Sequence, residues 1–147
     1  MTANFRAYQA TQAYRGASVT VSPLSAVVML LDGAILFLKK SLQASEAKRI
    51  EDSHNHLIRT TTILRGLSHH LNFDKGGPLA DRLFKTYNAL ILACLRSFGQ
   101  PDASVRYRRI IASLTELRDA WAAVVVANPR GAPGAPVSNS RGNGLAP

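Results

Sequence analysis

The sequence predicts an all-α fold: an antiparallel up-down-up-down four-helix bundle with a short N-terminal arm and a disordered C-terminal tail. Three observations carry that expectation. Apolar residues recur at alternating spacings of three and four through four stretches of roughly 22–26 residues, as one face of a helix requires. No stretch alternates apolar with polar residues as a half-buried strand would. Short breaks join the stretches, and short connections make sequential helices antiparallel neighbours. The expected organisation is an arm over residues 1–21, a bundle domain over 22–127 and a tail over 128–147.

The first helix is expected from residue 23 to about 44. Ser22 can accept a bond from an orphaned helix N–H, and Pro23 suits the first helical position, where its missing N–H costs nothing. Leu24, Val28, Leu31, Ile35, Leu38 and Leu42 form one stripe, with Val27, Leu30, Ala34 and Phe37 beside it. Met29 and Leu36 carry apolar surface further round, so this helix must touch protein on more than one side. Gly33, next to Asp32, costs roughly 1 kcal/mol relative to Ala inside a helix. That cost points to a close helix–helix approach.

The second helix is expected over about 46–71, on a stripe of Ala47, Ile50, His54, Leu57, Thr61, Leu64, Ser68 and Leu71; His54 reads as an interior histidine. Residues 71–81 read as the clearest loop, because Gly76-Gly77-Pro78 cannot continue a helix. Pro78 then opens a third helix, to about residue 98, on Leu79, Leu83, Tyr87, Leu90, Cys94 and Phe98. Gly99, Gln100 and Pro101 end it. Asp102 is placed to cap a fourth helix over 103 to about 127, with Ile110, Leu114, Leu117, Trp121 and Val124 as its seam. Leu117 and Trp121 are expected to be buried. The arm has too little apolar surface to order itself, so it is expected either to dock on the bundle through Phe5, Tyr8 and Tyr14 or to be a frayed terminus. From residue 128 the chain is Pro, Gly, Ala, Ser and Asn with almost no core former.

The 147 residues, 46% of them hydrophobic, suffice for one domain with a core. A single cysteine, Cys94, excludes an intrachain disulfide and fits a reducing compartment. The opening residues lack the apolar core of a signal peptide. Asp32 and Gly33 interrupt the longest apolar run, so no membrane span is expected. Eighteen basic against nine acidic residues leave a net charge of +9. No Lys/Arg run exceeds two, and no series of aromatics accompanies the charges. Solvated helix faces therefore explain the charge better than a nucleic-acid platform, and neither nucleic acid nor stable membrane association is expected. The alternative is a basic helical module on nucleic acid or an anionic membrane, distinguishable by a steep salt dependence.

No catalytic constellation is visible. His54 and His56 point to different helix faces, as do His69 and His70, so neither pair can share a metal. Cys94 on an apolar stripe reads as a small hydrophobe rather than a nucleophile. There is no G-x-S-x-G, and no Lys–Ser/Thr follows Gly76-Gly77 to make a phosphate loop. Catalytic residues, metal ligands and cofactors are all expected to be none. The residues alone describe a helical binding module with its partner open.

Six motifs in order then resemble one family. Tyr8-Gln9 resembles the tyrosine–glutamine of its arm, and Val19-Thr20-Val21-Ser22-Pro23 its V-T-x-S-P helix start. Met29-Leu30-Leu31-Asp32-Gly33-Ala34 is similar to M-L-Y-D-G-A, and Leu71-Asn72-Phe73-Asp74-Lys75-Gly76-Gly77 to L-N/D-F-x-K-G-G. Tyr87 matches the first tyrosine of L-Y-D-Y, and Leu117-Arg118-Asp119-Ala120-Trp121 resembles L-R-x-A-W. Over residues 8–126 the chain thus resembles the flagellin-specific export chaperones of the bacterial flagellum, the FliS family. The resemblance implies a cytosolic bundle without enzymatic activity. It implies binding of flagellin's disordered C-terminal segment, prevention of premature polymerisation and delivery to the flagellar type III export apparatus, with a contact at the export gate left open. Together with the apolar surplus of the first helix it nominates Tyr8, Gln9, Leu24, Val28, Met29, Leu30, Asp32, Gly33, Asn72, Phe73, Tyr87 and Leu90 as flagellin-binding residues. Leu31, Asn88 and Ala89 depart from the pattern. Leu31 and Ala89 stand where it has phenols, which removes polar contacts there, and Asn88 stands where it has an aspartate.

Overall fold

The structure, a computed structural model, describes residues 22–128. Tyr8, Gln9 and the rest of the arm, and the tail from residue 129, lie outside the described residues. Among the described residues there are four helices and no strand: α1 Pro23–Glu46, α2 Ile50–His69, α3 Phe73–Ser97 and α4 Ala103–Ala127. The described residues divide into two compact units, Val28–Ala120 and residues 22–27 with 121–128.

Side-chain pairings set the topology within Val28–Ala120. Ser41 bonds Ser53, and Thr60 donates to the Ala34 carbonyl, so positions rise on α1 as they fall on α2. Asn88 donates to Ser68, and His54 meets Phe98 at the end of α3, so α2 and α3 are antiparallel. Arg118 pairs with Asp32 and Arg108 with Glu46, so α4 runs antiparallel to α1. Within this unit α1 is thus antiparallel to both α2 and α4, and α2 to α3.

Leu31, Leu38, Leu57, Leu64, Tyr87, Tyr107 and Leu114 are fully buried at its centre. Each buried leucine is worth roughly 1.5–3 kcal/mol relative to exposure. The core also holds hydroxyls. Ser41 Oγ donates to the Ser53 carbonyl at 2.7 Å, and Ser53 Oγ donates to the Ser41 carbonyl at 2.9 Å. These reciprocal bonds bring α1 and α2 together without an unsatisfied group. The Tyr107 phenol of α4 reaches the same two serines.

Several expectations change. The second helix begins at Ile50, not 46, and Ala47 is an exposed turn residue. The reason is a helix stop built around Lys48, which has φ 64°. The Arg49 N–H reaches back to the Ala44 carbonyl at 2.8 Å and the Lys48 N–H to Ser45 at 3.0 Å, the two bonds of a Schellman cap. The buried face of α2 is Ser53, Leu57, Thr60, Thr61, Leu64, Leu67 and Ser68, so Ile50 and His54 are exposed. Small hydroxyls won those positions because each finds a local or cross-helix partner, as Thr60 does with the His56 and Ala34 carbonyls.

Part of the expected 71–81 loop is helical. Asn72 Oδ1 accepts from the Lys75 N–H at 3.0 Å and caps a short turn, which breaks at Gly77 before Pro78 restarts the helix. Gly77 adopts φ 52°, ψ −131°, and a Cβ on Gly76 would stand 2.7 Å from Ala80 Cβ, so both glycines are required. Leu79, expected on the α3 stripe, is exposed because Ala80 takes the buried position. Leu117 and Trp121, expected to be buried, are half-buried, and the sealed part of the α4 seam ends at Leu114. Gly33 does not require its missing side chain, since a Cβ there would meet Ile63 Cδ1 at an ordinary 3.5 Å.

Candidate functional site

The ten nominated residues that are described fall into three groups. Leu24, Tyr87 and Leu90 are buried, so in this structure their side chains serve the interior. Val28 and Gly33 are half-buried. Met29, Leu30, Asp32, Asn72 and Phe73 are exposed, and Met29 reaches 61%. Periodicity explains the split. Positions 24, 31, 34 and 38 turn inward on α1, which leaves 29, 30, 32 and 36 outside.

Beside Ile50, Leu79 and Val105, the exposed apolar side chains of Val28–Ala120 fall into two groups. The first is the outer face of α1, where Met29, Leu30 and Leu36 lie around Gly33. The second involves α2 and α3 and carries Ile58, Phe73, Phe84, Leu92 and Leu95, all at least 40% exposed. Phe73 and Phe84 meet edge-on with centroids 5.7 Å apart, which fixes an aromatic pair at the start of α3. Asn88 steadies the α2–α3 seam, donating to Ser68 Oγ at 3.2 Å and to the Phe84 carbonyl at 2.7 Å. Ile58, Phe84, Leu92 and Leu95 were not nominated from the sequence. Their signal was present as large apolar residues off the buried stripe.

Polar groups border these tracts. Arg118 Nε donates to Asp32 Oδ1 at 2.7 Å, and Arg118 also reaches Asp119 at 3.3 Å. The hydrogen bond to Asp32 is the main reason the guanidinium pKa is raised above its ordinary value. Asp32 thus ties α1 to α4. Around Phe37 the Lys40 ammonium and the Arg59 guanidinium lie 5.8 and 5.4 Å from the ring centroid, and the His56 ring stacks at 6.2 Å.

Chemistry is sparse by comparison. Glu51 and His54 stand one turn apart on α2, but among the described residues no three His, Cys, Asp or Glu gather as a metal site. Burial pushes the Cys94 thiol up to about 12, which makes it unreactive in the fold. Burial also raises the Tyr107 phenol, although Ser41 and Ser53 pull the other way. No described helix is long and apolar enough to cross a membrane.

Comparison with known proteins agrees with the motifs. The family described as Flagellar protein FliS matches residues 5–128. A search of curated proteins finds no match to the chain.

Proposed function

The chain belongs to the FliS family of flagellar proteins, and from that premise we propose that it is a cytosolic export chaperone for flagellin. It binds the disordered C-terminal segment of unpolymerised flagellin, prevents premature assembly and supports delivery to the type III export apparatus. No catalysis belongs to this role. The observation that carries the reading is the exposed apolar surface of a well-closed bundle: Met29, Leu30 and Leu36 on α1, and Ile58, Phe73, Phe84, Leu92 and Leu95 on α2 and α3. Exposed apolar surface of this kind marks a place for a partner. A disordered segment that folds on binding can wrap more than one such face, and the ordering cost of roughly 2–5 kcal/mol or more keeps the complex releasable.

Gel filtration with monomeric flagellin from the same source tests this. The chain is expected to co-elute with full-length flagellin and not with flagellin lacking its C-terminal segment. A net charge of +9 also fits a nucleic-acid or anionic-membrane module. Failure to bind flagellin, combined with salt-sensitive binding to duplex DNA or anionic vesicles, would establish that reading instead.

A further inference from the structure

We propose that the outer face of α1, with Arg59 of α2, reads an acidic helical part of the client: apolar side chains seat around Gly33, and a carboxylate lies between Lys40 and Arg59. This rests on the chaperone reading and adds the chemistry of the partner.

Met29, Gly33, Leu36 and Lys40 follow one another at spacings of four, three and four, which is the seam pattern of a helix that packs against another helix. Met29 and Leu36 are 61% and 50% exposed, so the seam has no occupant among the described residues. Gly33 stands between them without a side chain, half-buried beside Ile63 of α2, so nothing on α1 projects between Met29 and Leu36. Phe37 and Leu30 widen the face toward α2.

The end of this seam is unusual electrostatically. Lys40 and Arg59 share one aromatic ring, each within 6 Å of its centroid. Among the described residues neither has a carboxylate within ion-pair distance, whereas Asp32, Glu46, Asp81 and Asp102 all pair with basic residues elsewhere. Two cations held on one ring repel each other, and an anion placed between them relieves that repulsion. His56, stacked on the same ring, keeps Nδ1 buried without a partner.

No side-chain carboxylate of the arm or the tail can supply the anion. All nine acidic residues lie between positions 32 and 119, so residues 1–21 and 129–147 contain no Asp or Glu. A second copy seated on this seam by the same seam would offer only Met29, Gly33, Leu36 and Lys40, none of them a carboxylate. Nucleic acid would match the charge but leave Met29, Leu30 and Leu36 wet, and a bilayer would gain nothing from the three- and four-residue spacing of the seam. An amphipathic helix with an acidic residue beyond its apolar knobs satisfies all of these features.

The test measures binding of monomeric flagellin to the full chain, to Lys40→Glu/Arg59→Glu and to Met29→Ala/Leu36→Ala, at low and high salt, with helix content checked by circular dichroism. The charge variant is expected to bind about three- to thirtyfold more weakly at low salt, as two exposed ion pairs allow, and the gap should narrow at high salt. The apolar variant should lose affinity at both salts. Unchanged affinity of the charge variant, while the wild type binds, overturns this inference and leaves the chaperone reading standing; a wild type that does not bind flagellin overturns the chaperone reading itself. Binding to anionic vesicles that the charge variant abolishes would assign the face to a membrane and also overturn the inference.

Discussion

Lys48 is the residue where local geometry and residue type disagree most. It holds φ 64° without being glycine, because the two bonds of the cap at the end of α1 demand that conformation. A left-handed non-glycine residue costs roughly 1–2 kcal/mol. Lys48→Gly should therefore raise stability by about 1 kcal/mol, seen as a higher urea midpoint at constant slope; an unchanged or lower midpoint would count against the assigned cap. Gly77 is the converse. Its φ 52°, ψ −131° is open to glycine alone, and Gly77→Ala should cost about 1–3 kcal/mol. Gly33→Ala, whose new methyl meets Ile63 at an ordinary distance, should instead be neutral or stabilising by up to about 1 kcal/mol. Cys94 gives a chemical counterpart. Its thiol is raised from 9.0 to about 12 by burial, so the folded state favours the protonated form. That contribution is complete below pH 9 and is lost as pH rises toward 12. Native Cys94 should react slowly with thiol reagents and become fast only on unfolding; rapid labelling of the native chain would show that it is not buried.

Among the elements, α1 and α2 are joined by polar bonds inside an apolar bundle. Removing one serine of the Ser41–Ser53 pair should cost about 1 kcal/mol, and the double alanine variant less than the sum of the two, because the two hydroxyls also meet each other at 3.1 Å and that contact is lost in either single variant. A strictly additive double variant would mean the two bonds act independently. The α1–α4 clasp is different, since Glu46 and Arg108 are exposed. The hydrogen bond from Arg108, followed by that from Ser104, lowers the Glu46 pKa, so this stabilisation is present above the ordinary glutamate range near 4.5 and lost as pH falls below it. The stability gap between wild type and Glu46→Gln should close on acidification. The order and ends of most helices were legible because periodicity and Gly/Pro punctuation act locally: Ser22 caps α1 as expected, its Oγ accepting from the Ser25 N–H at 3.1 Å. The rotation of α2 was not legible. Hydropathy favoured Ile50 and His54, while burial went to Ser53 and Thr60, whose hydroxyls found carbonyls that only the folded neighbour and the local turn supply.

For the molecule as a whole, the family was legible before the surface was. The motifs lie partly in the interior: Leu31 and Tyr87 are buried, and Gly76-Gly77 builds a kink. Motif matching therefore nominated structural residues together with exposed ones, and could not separate Leu90 from Met29. Exposed apolar side chains off the core stripe, such as Leu92 and Leu95, mark the surface better, because they oppose what solvent alone would favour. The charge divides in a similar way. Most acidic residues pair with a basic neighbour, and among the cations without a carboxylate Lys40 and Arg59 are set apart by sharing the Phe37 ring. The central claim is that this apolar surface holds flagellin out of the filament. Seeded polymerisation of flagellin from the same source, followed by light scattering with increasing amounts of the chain, tests it most directly. Growth should stop once the chain is stoichiometric with flagellin, and Leu92→Glu/Leu95→Glu should restore it. Growth at the same rate in the presence of excess chain would contradict the account.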